Sequence, residues 1–223
     1  MVRRIVSGIS QLVLAAGLVG LLFLAYQVYV TDWFSDRQQD RVSEELRDEW
    51  AAPSAPAVPD EVEPEFGEAL AFLHIPEFGP GWEPRAVLEG VQPEELTVGP
   101  GHYPGTALPG AIGNFSLAGH RVGEGSPFGA LDQLEAGDAL VVETVDSWFT
   151  YRVTEQVIVR PEDVSVVAAV PGEPDAYADA AYITLTTCHP KFSNRERLVV
   201  HGLLEQSASK ADLPGGPPAV NGV

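Results

Sequence analysis

Cysteine is almost absent from this chain, with one residue, Cys188, in 223. A lone cysteine excludes an intramolecular disulfide framework. It leaves either a small buried apolar side chain or a reactive thiol. Basic charge is also scarce, 13 Lys and Arg against 32 Asp and Glu, for a net charge of −19. Every acidic residue lies after Thr31, and of the basic residues only Arg3 and Arg4 come earlier. Such a surface repels phosphate backbones and excludes nucleic acid as a partner, although it says little about fold. No pair of His or Cys residues has zinc-ligand spacing, and the single cysteine offers no cluster, so no metal and no cofactor is expected. No internal repeat is present.

Charge of either sign is missing altogether from Ile5 to Thr31, where Leu12 to Val30 is dense in Leu, Val, Ala and Phe. About 20 such residues cross a bilayer as a helix. Tyr26, Tyr29 and Trp33 stand where an interfacial aromatic belt would. A cleaved signal peptide has a shorter apolar core of ~7–15 residues ending in a small-x-small site, which this segment does not match. Residues 1–31 therefore read as a cytoplasmic stub and an uncleaved transmembrane signal anchor. Arg3 and Arg4 place the N-terminus in the cytoplasm and the remainder outside a cell membrane crossed once. Residues 32–68 read as a juxtamembrane helix and a spacer. Ser35 and Gln38 have capping-box spacing, and Val42, Leu46 and Trp50 form a stripe. That stripe suits either the membrane surface or the domain. Pro53, Pro56, Pro59 and Pro64 among acidic residues predict a stiff, extended spacer.

Proline and glycine, 19 and 22 in number, punctuate the rest and favour short strands over long helices. Apolar or alternating runs occur at Leu70–Ile75, Arg85–Leu88, Ala111–Ala118, Ala139–Val145, Trp148–Val159, Val164–Val170, Ala181–Thr187 and Leu198–Leu204. Many short strands at this spacing predict an all-β barrel or sandwich over 69–205, with one helical turn at Leu131–Leu134. Residues 206–223, rich in Ser, Ala, Pro and Gly, read as a disordered tail.

A cysteine becomes a nucleophile when its thiolate is stabilised or a base is near. Cys188 ends the run Ala181 to Thr187, and five histidines compete to serve it. His189 adjoins it, yet neighbours on a strand point to opposite faces. His120 closes Phe115-Ser116-Leu117-Ala118-Gly119 and runs into a Gly-rich loop, a strand-end position that favours function. His102 reads as a surface loop residue, and His74 shows no partner. Arg197 opens the run Leu198-Val199-Val200 and shares a face with Val199 and His201 if that run is a strand. An arginine there can donate two hydrogen bonds to a developing oxyanion. Arg195 reads as a surface residue. The pattern alone leaves His201 a rival to His120.

Thr184-Leu185-Thr186-Thr187-Cys188, with Arg197 nine positions on and Leu117-Ala118-Gly119-His120 upstream, resembles the sortase family. The resemblance covers roughly 70–204. It implies an eight-stranded β-barrel with short helices, preceded by the transmembrane helix. It also implies a cysteine transpeptidase in which Cys188 is the nucleophile, His120 the acid/base and Arg197 the oxyanion or substrate-positioning group. The implied partners are secreted proteins bearing a C-terminal sorting signal, cleaved between Thr and Gly through a thioacyl-enzyme. An amine of a peptidoglycan precursor or a pilin is the acceptor. Gly99-Pro100-Gly101-His102-Tyr103-Pro104-Gly105-Thr106 and His189-Pro190-Lys191 look most like class E, with class D next. Class E implies a Leu-Ala-x-Thr-Gly signal and Tyr103 as a contact to its second residue. Thr187 is a candidate for the substrate backbone or a plain strand residue. Two other readings stand beside this one: a membrane-anchored cysteine peptidase passing the acyl group to water, and a non-catalytic extracellular β-domain with an inert Cys188.

Overall fold

Eight strands form between Ala69 and Ser209 in this computed structural model, which describes residues 2–26, 31–52 and 64–221. They are β1 (Ala69–His74), β2 (Arg85–Glu89), β3 (Gly101–His102), β4 (Gly113–Ala118), β5 (Ala139–Glu143), β6 (Ser147–Val159), β7 (Ala181–His189) and β8 (Glu196–Ser209). They close into a barrel in the order β1-β2-β3-β4-β7-β8-β6-β5. Only β2–β3 and β4–β7 pair in parallel. Alternation sets the inner face. Phe115 and Leu117 of β4, Ile183 and Leu185 of β7, and Leu198 and Val200 of β8 enter one core with Leu73, Phe128, Leu140 and Tyr151. Each such side chain, fully buried, contributes about 1.5–3 kcal/mol.

The parallel pairing of β4 with β7 decides where function can sit. It brings the C-terminal ends of both strands to one rim, and antiparallel β8 starts at that same rim. On the outer face there, Asn114, Ser116, Thr184 and Thr186 are also buried, because connecting loops lie across them. Asn114 donates its amide to the carbonyls of Val166 (3.2 Å) and Ala168 (2.9 Å), holding the β6–β7 connection over the sheet.

Several expectations are corrected here. Val164–Val170 is not a strand: Val164–Val167 forms a 3-10 turn capped by Asp163. The barrel has no free edge for it, so Asn114 satisfies its carbonyls instead. β3 replaces it in the count, two residues that read as loop because Gly and Pro surround them. His102 on β3 is accordingly buried, 1% exposed, with Nδ1 2.5 Å from Glu89. His74 has a partner as well, its Nε2 lying 2.9 Å from Glu143. Over its described residues, 206–221, the expected disordered tail carries structure. β8 runs through Ser209, Lys210 pairs with Glu143 at 2.8 Å, and Pro218–Val220 forms a 3-10 turn. The helical turn expected around Leu131 is present at Leu131–Gln133.

Two helices precede the barrel, α1 (Val2–Ala25) and α2 (Thr31–Ala51); a third, α3 (Pro93–Val98), follows β2. The side chains of α1 are described only over 7–23, and among the described residues no helix is long and apolar enough to cross a membrane. α2 begins ahead of the expected cap, so Ser35 lies inside the helix, and its hydroxyl bonds Glu124 rather than a helix amide. The stripe settles on the domain: Val42, Leu46 and Trp50 pack with Ala69, Phe72 and Ala86. Residues 53–63 of the expected spacer lie outside the described residues.

Candidate active site

Cys188 is a free, partly buried thiol near the end of β7. Strand geometry persists through His189, so Thr184, Thr186 and Cys188 share the outer face and His189 is turned away. The register that pairs Ala118 with Thr186, prolonged past the end of β4, sets His120 level with Cys188. Gly119 donates its N–H to Thr186 O at 3.1 Å, which holds that prolongation in place. His120 and Cys188 line one cavity of about 300 Å³ with Arg121, Val122, Phe192, Ser193 and Asn194.

Arg197 is the direct cross-strand partner of Cys188, a pairing that brings Cβ atoms to about 4.5–5.5 Å. Its Nη1 donates to the carbonyls of Asn194 and Glu196, each at 3.0 Å. Nε and Nη2 bond no protein group among the described residues. The guanidinium is therefore held at the rim with donors to spare, although it does not line the cavity itself.

His201 is removed from the thiol by the same register. It stands opposite Thr184, four residues along β7 from Cys188, roughly 13 Å at the rise of a strand. Its Nδ1 lies 2.9 Å from the Thr184 hydroxyl, which itself donates to Asn114 at 2.8 Å. The hydroxyl has one proton to give, so Nδ1–H of His201 is the donor. Burial pushes this imidazole below its ordinary pKa, with the Glu155 charge opposing.

His189 is engaged elsewhere. Arg121 Nη1 donates to its Nδ1 at 2.8 Å and to the carbonyl of Cys188 at 3.4 Å, while Nη2 meets Asp132 at 3.0 Å. Arginine only donates, so His189 presents a lone pair there and carries its proton on Nε2. Burial opposes ionisation of Asp132, but its own backbone N–H and the charges of Arg121 and Lys191 hold the carboxyl below its usual range. Arg121, 5% exposed, was missed in the sequence. The signal was its place next to His120, at the strand end beside β7, where it lines the cavity and its guanidinium reaches His189 and the Cys188 carbonyl.

Tyr103 and Thr187 part company. Tyr103 lies across the outer face with its hydroxyl 3.0 Å from Thr186 Oγ1, beside the strand that carries the thiol. Thr187 is 3% exposed and donates to Gly119 O at 2.8 Å. It ties the residue after β4 to β7 and is not among the residues that line the cavity. Among the described residues no group of His, Cys, Asp and Glu is arranged to hold a metal ion.

A thiol, an imidazole on the adjacent strand end and an arginine opposite can together carry acyl transfer. Comparisons with known proteins point the same way. Residues 73–205 match the family model described as the sortase domain. Sortase SrtE1 of Streptomyces coelicolor is 35% identical over 211 residues, covering 91% of this chain and 58% of its own length. The chain thus spans less than two thirds of that relative. Sortase SrtE2 of the same organism is 34% identical over 227 residues, covering 96% of this chain and 87% of its own. The crystal structure of sortase E1 from Streptomyces coelicolor with a tripeptide in the active site superposes with a TM-score of 0.62 at 36% identity, over 69% of this chain and 96% of that one. With the family model covering more than half of the chain and a class E relative aligned over nearly all of it, this protein belongs to the sortase family.

Proposed function

We propose that this protein is a membrane-anchored cysteine transpeptidase in which Cys188 and His120 act on a C-terminal sorting signal of the Leu-Ala-x-Thr-Gly type. The observation that carries the proposal is the shared cavity of the thiol and the imidazole, with Arg197 opposite the thiol. Thiolates are favoured beside cationic side chains. The Cys188 thiolate attacks the Thr–Gly carbonyl, and the oxyanion that develops meets the unpartnered donors of Arg197. Collapse of the intermediate breaks the C–N bond, His120 gives a proton to the departing glycine amine, and a thioacyl-enzyme remains. An acceptor amine then attacks the thioester. His120 takes a proton from it, the C–S bond breaks, and the signal-bearing protein is joined to a peptidoglycan precursor or pilin.

Tyr103 stands beside the strand carrying the thiol and is assigned to the second residue of the signal. The uncharged segment Ile5 to Thr31 is assigned to the membrane, with the barrel on the outer side. Incubation with a Leu-Ala-x-Thr-Gly peptide, with and without a small amine, tests the reading by product mass. Expected are a thioacyl adduct on Cys188, an amide product when amine is present, and loss of both in Cys188→Ala. Release of free acid alone at saturating amine indicates a peptidase. Retained turnover in Cys188→Ala removes the thiol from the chemistry.

A further inference from the structure

The loop that leaves His120 is held in a conformation that its sequence does not favour. Glu124 (φ 53°) and Ser126 (φ 42°) are non-glycine residues in the left-handed region, interleaved with Gly123 and Gly125. Such residues persist only where their surroundings over-determine them. Inside the loop, Ser126 N–H bonds Gly123 O at 2.9 Å, and Phe128 N–H bonds the carbonyl of His120 itself at 3.1 Å. The shape of the loop is therefore passed directly to the backbone of His120.

The remaining support comes from α2. The Asp32 carboxylate accepts from Gly125 N–H at 3.0 Å, and Ser35, 1% exposed, donates its hydroxyl to Glu124 at 3.1 Å. Helix and loop are in close contact: a Cβ on Gly125 would stand 3.3 Å from Asp36 Oδ1 and 3.5 Å from Ser35 Cβ. α2 is itself fixed to the barrel, at the loop through Asp36 and farther along through Gln39 and Leu46. Asp36 pairs with Arg85 at 2.9 Å, the buried Gln39 amide donates to Ala86 O at 3.1 Å, and Leu46 packs with Phe72 and Ala86. Burial raises the pKa of Asp32, as do the neighbouring carboxylates Asp36 and Glu124, while the Gly125 amide and Arg85 oppose the rise. An acceptor oxygen is what the loop needs at this position, and the charge is a burden.

We infer that Asp32 and Ser35 are positioning residues for His120, acting through the loop 121–129 as a clamp between the first turns of α2 and the strand end that carries the imidazole. The inference rests on the reading in which His120 serves the Cys188 thiol. It ties the helix nearest the assigned membrane segment to the geometry of catalysis.

The test uses the full chain and compares Asp32→Ala/Ser35→Ala with Asp32→Asn and Leu46→Ala. The double variant is expected to lose roughly tenfold in kcat with KM little changed, below the hundredfold that a 1 Å misplacement can cost. The pH profile of Cys188 alkylation by iodoacetamide should move with it. Asp32→Asn keeps an acceptor oxygen and should retain both. Leu46→Ala loosens the same helix far from the loop and should lower Tm while leaving kcat unchanged. A folded double variant with the wild-type kcat and alkylation profile would overturn the clamp. So would kcat losses that simply follow Tm across the set. Should the double variant not fold, Asp32→Ala alone carries the same comparison. If the wild-type chain cleaves no sorting peptide, the transpeptidase reading fails, while the alkylation profile still decides whether α2 positions His120.

Discussion

Individual side chains in this protein are assigned by what already holds them. His189, His201, His74 and His102 each have a strong partner, in Arg121, Thr184, Glu143 and Glu89 respectively. His120 bonds no side chain among the described residues and stands in the cavity of the thiol. The His201 partnership has a pH consequence. Burial keeps the folded imidazole below the ordinary value of 6.5, so the unfolded chain takes up a proton first as pH falls. Wild type measured against His201→Gln should therefore show its full relative stability above about pH 6.5 and lose it progressively below. Urea unfolding from about pH 8 to about pH 5 reads this, and a difference that stays flat would show that burial does not control the titration.

Among the elements, β4 runs into a tightly packed residue, Gly119. A Cβ on Gly119 would fall 2.6 Å from the ring of Phe128, which is fully buried and whose N–H bonds His120 O. Gly119→Ala thus leaves the backbone conformation accessible but forces the ring or the strand end aside. The expected cost is about 1–3 kcal/mol of stability, with a fall in peptide cleavage because His120 is the next residue. Phe128→Leu in the same chain should recover part of the stability, since the smaller side chain gives back the space. Strictly additive effects in the double variant, measured by urea unfolding, would contradict the packing account. The elements also mark where reading the chain failed. Val164–Val170 has strand composition, yet a closed barrel gives it no edge to pair with. β3 has turn composition, yet two residues of pairing between β2 and β4 suffice to close the wall.

For the molecule as a whole, Glu143 joins segments far apart in the chain. Its carboxylate meets His74 of β1 at 2.9 Å, Lys210 at 2.8 Å and Arg47 of α2 at 3.9 Å. Lys210 also lies over the rings of Trp50 and Trp148. Burial works against ionisation of Glu143, but the hydrogen bonds of His74 and Lys210 prevail and hold its carboxyl below the usual range. Stability from this group is present above the ordinary value of 4.5 and is lost as pH falls through the lower folded value. Lys210→Met keeps the apolar stem and removes the charge. It should cost about 1–3 kcal/mol at neutral pH, with a smaller penalty in acid, where Glu143 is protonated. A variant as stable as wild type in urea would mean that the Lys210–Glu143 pair adds nothing to the barrel's stability.

The sequence by itself determined the nucleophile candidate, the strand that carries it, the β-rich architecture and the family, because a lone cysteine, period-two alternation and a local Thr-Leu-Thr-Thr-Cys run are one-dimensional signals. Only the tertiary structure separates His120 from His201 by their placement relative to the thiol. The parallel register of β4 with β7 is a non-local pairing, and it sets one imidazole beside the thiol and the other well along the strand. The same holds for Arg121, Thr187 and the α2 clamp on the loop 121–129. Each acts through a partner distant in the chain, and no periodicity in the residues around it records which partner the fold will supply.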